Sequence, residues 1–310
     1  MFLSSYIMKF CSVFASTALL VGCSGSDGNK ASAERDSVVA PGELAMPAIP
    51  DSIVGTEERA EWLVAHFWDA MDFADHSRSL DSAFMEQTFA NFLSVLPLTG
   101  SVGAVDRAFG NMLDKAAGDK AASEFVADVA RRYMGDPNSP MRDEDLLIAF
   151  LERAVTAGSL SEATRERMKF DLEKARMNRP GSIAPDFRYM SRTGEVTSLR
   201  GRHAATLLIF YDPDCPNCHE VIEDLAGAEL PQNLSVLAIN AEDDRDRWNE
   251  TKDSMPRGWE VGMPLESLDE DRYYLPVLPV IYLLDADGRI ILKDPAPAVL
   301  KDYLGPRQSH

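Results

Sequence analysis

The chain has 310 residues, of which 45% are hydrophobic, and its formal net charge is −19. At roughly 100–200 residues per domain this length predicts two domains, and the apolar content excludes both a fully disordered chain and a polytopic membrane protein. The 50 acidic residues outnumber the 31 Lys and Arg residues, and this excess would repel a phosphate backbone. Nucleic acid is therefore not expected as a partner.

The first 22 residues have the pattern of a signal peptide. One charge, Lys9, precedes an apolar run from Phe10 to Gly22, which is shorter than the roughly 20 residues that a membrane-spanning helix needs. The run ends in Leu20-Val21-Gly22-Cys23, which resembles the lipobox of bacterial lipoproteins. This resemblance implies cleavage before Cys23, acylation of that residue and attachment to a membrane through the lipid. The alternative is a soluble secreted protein with a chance Cys at the cleavage site.

Ser24, and not Asp, follows the lipidation candidate. Such sequences resemble lipoproteins of the outer membrane, so we expect a lipid-anchored protein of the cell envelope, on the outer membrane and facing the periplasm. Of the four Cys residues, Cys11 leaves with the signal peptide and Cys23 carries the lipid. Only Cys215 and Cys218 then remain as thiols, in a compartment that permits disulfides.

Two regions with different patterns follow. Residues 23–50 are rich in Ser, Gly, Ala and Pro, which predicts a flexible tether. Residues 51–178 place apolar side chains at helical spacing, as in Leu63, Phe67 and Met71, and predict six helices. The expected breaks are at 97–100, near Gly118, at 136–140 and at Gly158, where Ser159 to Glu162 resembles a capping box.

The helical region also contains a cluster of aromatic and His residues that could bind a ligand: Trp62, His66, Phe67, Trp68, Phe73 and His76. We favour a packed core, because large aromatics four residues apart usually pack against other helices. The two His residues have no recognised metal spacing. The stretch from Arg59 to Leu93 resembles the helical domain of unknown function that precedes thioredoxin-like modules in many Bacteroidota lipoproteins. That resemblance implies an accessory role in binding partners or presenting substrates.

After Pro180 short strands alternate with helices. Strands are predicted at 205–211, 234–239, 280–284 and 289–293, and the segments 216–226 and 242–253 are predicted helices. This is a βαβ arrangement closed by a hairpin. The sequence thus predicts an α/β domain at 181–310, preceded by an all-α domain.

A pair of cysteines follows the first of these strands. Cys215 and Cys218 are separated by Pro216-Asn217, at the start of the predicted helix. The unpaired N–H groups and the positive dipole end of a helix N-terminus stabilise a thiolate, so Cys215 is the predicted nucleophile. Cys218 lies one helical turn away, where it can attack a mixed disulfide on Cys215 and release the partner.

This arrangement resembles the thioredoxin superfamily, and in particular its membrane-tethered TlpA-like and ResA-like branch. The segments Gly181 to Phe187 and Gly194 to Leu199 look like that branch's N-terminal hairpin. The run Leu278 to Asp285 matches the strand that carries the family's cis-proline, with Pro279 in that position. The resemblance covers 181–310 and implies a thioredoxin-like fold, with Cys215, Cys218 and Pro279 at the catalytic site.

The sequence departs from the family at two positions beside the thiols. Asp214 stands where an aromatic residue usually precedes the first Cys, and Ile209 replaces the buried acid that thioredoxin carries six residues before it. Asp212 and Asp214 should partly oppose the helix dipole at Cys215. We therefore expect a couple more reducing than one with a strongly stabilised thiolate.

Other interpretations of the motif are less well supported. A structural disulfide across so small a loop would remove little entropy from the unfolded chain, and zinc would need two further ligands. Haem is the strongest alternative, because Cys215 to His219 matches the C-x-x-C-H attachment motif. A peroxiredoxin would carry Thr or Ser at position 212, where this chain has Asp. We expect neither a metal nor another cofactor.

The leading hypothesis is a membrane-anchored thiol–disulfide oxidoreductase that acts on disulfide-containing exported proteins as a reductant or isomerase. Reducing work outside the cytoplasm needs electrons, so the resemblance implies a membrane electron donor as a second partner. The rival hypothesis is a cell-envelope interaction lipoprotein that uses the thioredoxin fold as a redox-idle scaffold.

Overall fold

A computed structural model describes residues 42–202, 204–242, 244–268 and 272–305. The predicted signal peptide, Cys23 and the first part of the predicted tether lie outside these residues. At the end of that tether, Leu44 is buried. The chain divides into two compact units between Glu166 and Arg167, which is earlier than the boundary at 178–181 that the sequence predicts.

The described part of the first unit is helical. It contains six helices of eleven residues or more, the last of which continues into the second unit, and one single-turn helix, α2. Their bounds are α1 Thr56–His66, α2 His76–Ser79, α3 Ser82–Val95, α4 Val102–Ala116, α5 Lys120–Gly135, α6 Glu144–Ala154 and α7 Glu162–Arg176. The four breaks that the sequence predicts are present, whereas the interruption between α1 and α3 at 67–81 was not predicted. A short 3₁₀ turn spans Leu96–Thr99.

The helices begin at side chains that accept hydrogen bonds from their otherwise unpaired N–H groups. Asp81, Asp119 and Asp143 cap α3, α5 and α6 in this way. At the start of α7 the hydroxyl of Ser161 accepts from the backbone N–H of Thr164 at 3.2 Å. The predicted capping box is therefore wrong in register, because Ser161 and not Ser159 is the capping residue.

The aromatic cluster predicted from the sequence is mainly core. Phe67 and Trp68 are 1% exposed, and Phe92 is completely buried between them and Phe109. The ring centroids of Phe92 and Phe109 are 5.8 Å apart in an edge-to-face arrangement, which is the preferred geometry for aromatic pairs. The two His residues lie at the edge of the domain, where His66 pairs with Asp69 and His76 pairs with Asp119.

The second unit is built on a seven-stranded mixed sheet with the order β2-β1-β5-β4-β3-β6-β7. The strands are β1 Arg188–Ser191, β2 Val196–Ser198, β3 Ala205–Tyr211, β4 Leu234–Asn240, β5 Glu260–Pro264, β6 Val280–Leu284 and β7 Ile290–Lys293. Besides the end of α7, the α-helices in the described part of this unit are α8 Pro216–Ala226, α9 Arg245–Thr251 and α10 Pro297–Leu304, and two 3₁₀ turns span Leu199–Gly201 and Lys252–Ser254. This is the predicted α/β fold, with a hairpin of β1 and β2 at one end.

The interior strand β3, which lies between β4 and β6, shows how the sheet is covered on both faces. Leu208 and Phe210 belong to one apolar cluster, and Leu207 and Ile209 belong to another that includes Leu300 of α10. Successive side chains of a strand point to opposite faces, so a strand buried on both faces is continuously apolar. The run predicted as a buried strand is confirmed.

Strand β5 was not predicted from the sequence. Its five residues include Gly262 and end at Pro264, and both residue types are depleted in strands. Gly262 is needed because a Cβ there would overlap the ring of Tyr189 and would lie 3.0 Å from Cδ1 of Ile239. Strand β5 can therefore approach its neighbours β1 and β4 closely because residue 262 is a glycine and has no Cβ.

The C-terminal half of α7 belongs to the second unit. The ring of Phe170 lies edge-on to the ring of Tyr274, with centroids 6.0 Å apart, and Nζ of Lys174 is 5.9 Å from the Tyr274 ring centroid. Just beyond the helix, Nδ2 of Asn178 donates to the carbonyl of Arg272 at 2.7 Å. These contacts connect the end of α7 to Arg272 and Tyr274, which precede β6. Among the described residues, no helix is both long enough and apolar enough to cross a membrane.

Candidate active site

The Cys pair lies where β3 ends and α8 begins. Cys215 is the N-cap of α8, and its Sγ accepts a hydrogen bond from the backbone N–H of Cys218 at 3.2 Å. Pro216 occupies the first helical position, where its missing N–H costs no intrahelical hydrogen bond. The geometry places the sulfur of Cys215 at the positive end of the helix.

The two thiols, both reduced in this structure, have different environments. Cys215 is half-buried, whereas Cys218 is 0% exposed. Burial, followed by the hydrogen bond with Cys215, raises the pKa of Cys218 to about 12. Cys218 therefore stays protonated at neutral pH, and Cys215 is the more accessible of the two sulfurs.

The loop before β6 supplies the opposite side of the site. The peptide bond between Leu278 and Pro279 is cis, as the resemblance to thioredoxins implies. The carbonyl oxygen of Leu278 accepts from Sγ of Cys215 at 3.5 Å and from Nδ2 of Asn217 at 3.5 Å. The structure thus brings Cys215, Cys218 and the loop with Pro279 together. The remaining candidate, Cys23, lies outside the described residues.

The thiols have no buried acid at the position that thioredoxin uses. Ile209 is completely buried among apolar side chains. Tyr211 shares an apolar cluster with Cys218, and its hydroxyl has no hydrogen-bond partner within the described ranges. Burial raises the pKa of Tyr211, so this hydroxyl stays protonated at neutral pH and is not a base for Cys218.

Charged side chains surround the loop between β3 and α8. The carboxylate of Asp214 is bound by the guanidinium of Arg247 on α9, and this pairing holds the pKa of Asp214 below its usual range. Asp212 accepts from the backbone N–H of Asp214 at 2.7 Å. Sequence reasoning missed Arg247, because nothing in the motif points to a residue 33 positions away.

His219 bears on the haem alternative. It is exposed in the first turn of α8, and its Nε2 is 2.7 Å from the carbonyl oxygen of Pro213. The nitrogen that would face a haem iron thus donates to the loop in front of the Cys pair. Within the described ranges, no group of three or more His, Cys, Asp or Glu side chains could hold a metal ion. In this structure His219 connects the first turn of α8 to the loop before the Cys pair.

Comparison with known proteins identifies the first part of the chain. Residues 22–178, about half of the chain, match the family described as Domain of unknown function (DUF5106). The chain belongs to this family. No curated protein matches the chain.

Among solved structures, the chain is similar to a thioredoxin-like protein from Bacteroides caccae, with 31% identity and a TM-score of 0.77. The match covers 84% of this chain and 97% of that chain. A conserved protein of unknown function from Bacteroides fragilis is 34% identical over 41% of this chain and 99% of its own, with a TM-score of 0.37. A thiol-disulfide oxidoreductase from Bacteroides fragilis is 23% identical over 40% of this chain and 97% of its own, with a TM-score of 0.33. This DUF5106 protein therefore combines a helical domain with a thioredoxin-like module, as predicted.

Proposed function

We propose that this protein is a thiol–disulfide oxidoreductase that acts on exported proteins through Cys215 and Cys218. The observation that carries the proposal is the Sγ of Cys215 at the N-terminus of α8, 3.2 Å from the backbone nitrogen of Cys218. A half-buried thiol in that position can react, and a buried thiol one turn away can resolve the product.

The exchange takes two steps. The thiolate of Cys215 attacks one sulfur of a substrate disulfide, forming a mixed disulfide and releasing the other substrate sulfur as a thiolate. Cys218 then loses its proton and attacks the Sγ of Cys215, which closes the Cys215–Cys218 disulfide and releases the second substrate thiolate. Two electrons pass to the substrate, so each further cycle needs an external dithiol reductant. We propose that a membrane electron donor supplies them.

A trapping experiment tests the assignment of the two thiols. Replacing Cys218 with Ser removes the resolving group, so mixed disulfides with envelope proteins should accumulate on Cys215 and appear on non-reducing gels and in mass spectra. Cys215→Ser is the matched control and should trap little. Adducts mainly in the Cys215→Ser strain would reverse the assignment.

An insulin-reduction assay distinguishes the proposed oxidoreductase from the rival hypothesis of a redox-idle interaction lipoprotein. The purified wild-type chain should reduce insulin with dithiothreitol as electron source, and the Cys215→Ser chain should add nothing to the rate of dithiothreitol alone. A folded wild-type chain that is equally inert would favour the redox-idle interaction lipoprotein, in which the helical domain does the binding.

We also propose that the protein is anchored through Cys23 to the outer membrane and faces the periplasm. The support is the sequence Leu20-Val21-Gly22-Cys23 followed by Ser24. More than one acyl chain is needed for stable anchoring, and the lipoprotein modification supplies several. A Cys23→Ala variant should leave the envelope fraction after a carbonate wash. Its retention there would contradict the anchor.

A further inference from the structure

An ion pair joins the active-site loop to α9. Nε of Arg247 lies 3.0 Å from each carboxylate oxygen of Asp214, and Nη2 of the same guanidinium also binds Oδ1. Nη1 contacts the carboxylate of Glu250 at 3.2 Å. When several N–H donors of one guanidinium bind the same carboxylate as a fork, they fix the relative orientation of the two side chains as well as pairing their charges. A single contact does not fix that orientation.

The backbone N–H of each residue of this pair donates a hydrogen bond to a nearby Asp side chain. The N–H of Arg247 donates to the side chain of Asp244, the N-cap of α9, at 2.9 Å. The N–H of Asp214 donates to the side chain of Asp212 at 2.7 Å. The pair therefore connects two local structures that are each fixed by a hydrogen bond, one beside Cys215 and one at the start of α9.

One residue of the pair adjoins the nucleophile in the chain. Asp214 directly precedes Cys215, and Asp212 adds a second carboxylate to the same loop. A negative charge near a thiol disfavours its thiolate, and a positive charge favours it. Arg247 binds the carboxylate of Asp214 by the contacts above, so it compensates the charge of the residue that directly precedes Cys215 in the chain.

We infer that Arg247 is a positioning residue for the exchange reaction proposed above: by pairing with Asp214 it preserves the thiolate of Cys215 in an acidic loop. The inference rests on the proposed function for its biological meaning. Its effect on the thiol can be measured independently. Because both side chains are partly exposed, water and salt screen them, and we expect each charge to change the thiolate fraction of Cys215 by about threefold.

The test is the rate of alkylation of Cys215 by iodoacetamide at pH 7 and low salt, because only the thiolate reacts. Full-length protein with Cys218→Ser isolates this thiol, and mass spectrometry of the Cys215 peptide excludes the other cysteines. In this background Arg247→Met should lower the rate about threefold, and Asp214→Asn should raise it. The double variant should return close to the starting rate. Arg245→Met, which removes an exposed cation from the same helix, should change the rate by less than 1.5-fold.

The opposite signs of the two single variants are decisive. If the pair only held the loop in shape, either substitution would loosen the same contact and both rates would move in the same direction. That result, or changes below 1.5-fold for both variants, would overturn the inference. Arg247→Lys keeps the charge and loses the fork, so it should recover more than half of the lost rate. Failure of the proposed function is a separate outcome: wild-type protein would not reduce insulin, whatever the alkylation rates.

Discussion

The contacts of the end of α7 with Arg272 and Tyr274 predict that a thioredoxin-like module starting at 181 lacks part of its own fold. Removing residues 167–180 deletes the ring contact of Phe170 with Tyr274 and the approach of Lys174 to the same ring. It also deletes the hydrogen bonds from Asn178 to the carbonyl of Arg272 and from Nζ of Lys293 to the carbonyl of Met177, at 2.7 and 2.8 Å.

The size of the effect follows from these four contacts. An aromatic pair contributes about 1 kcal/mol beyond its buried area, a cation over a ring about 0.5–1 kcal/mol, and each hydrogen bond about 1 kcal/mol. Together they amount to roughly 3–4 kcal/mol, a large part of the 5–15 kcal/mol by which a typical domain is stable. The fragment 181–310 should therefore melt roughly 10–15 °C below the fragment 167–310.

Thermal unfolding followed by circular dichroism measures this difference on the two reduced fragments. Within the longer fragment, Asn178→Ala should lower the free energy of unfolding by about 1 kcal/mol. Glu173→Ala, at an exposed position of the same helix, is the control and should change it by less than 0.5 kcal/mol. Melting temperatures within 3 °C of each other for the two fragments would refute the assignment of this helix end to the redox module.

Three further predictions concern the packing and the thiols. Gly262→Ala should destabilise the protein by about 1–3 kcal/mol in urea titrations, because the added Cβ overlaps the ring of Tyr189. The control is Gly258→Ala, which should be nearly neutral because its Cβ would meet no atom within 4 Å outside the adjacent residues. Phe109→Ala should cost about 3–5 kcal/mol, since this side chain is completely buried; Val102→Ala, 82% exposed, is its control. Burial raises the pKa of Cys218 from 9.0 to about 12, so the folded state keeps a proton that the unfolded state loses. The stability of the reduced protein relative to Cys218→Ser should therefore fall as the pH rises from 9 towards 12, and equal slopes for the two proteins would contradict that pKa.

Local patterns explain most of what the sequence predicted correctly. The buried strand β3 is a run of apolar residues, and the placement of Cys215 at a helix N-terminus needs only the residues on either side of it. The four predicted breaks between helices follow from Pro and Gly, whereas the interruption at 67–81 contains neither. The N-cap of α7 shows the limit of this reasoning, since two Ser residues stand near the helix start and either could serve as its cap. In the folded chain Ser161 is the cap, and its backbone N–H also donates to the carboxylate of Glu124 on α5.

Features that depend on distant residues could not be predicted. Strand β5 contains Gly and Pro, so propensity argues against it, and it forms because β1 and β4 provide partners on both sides. The end of α7 looks like a continuation of the helical domain, because helical periodicity does not reveal which core a helix joins. In both cases the deciding interaction comes from residues far apart in the chain.

The charge of the active-site loop shows why this distinction matters for function. From the sequence, Asp212 and Asp214 are two uncompensated carboxylates beside a nucleophile, which predicts a weakly stabilised thiolate. In the fold, the guanidinium of Arg247 binds one of them and compensates its charge. The sequence analysis expects a reducing couple from the two carboxylates of the loop. The positive charge of Arg247 on α9 acts in the opposite direction, so both have to be considered together. Residues that replace the usual aromatic before a C-x-x-C motif can be assessed only together with the partner that the fold brings to them.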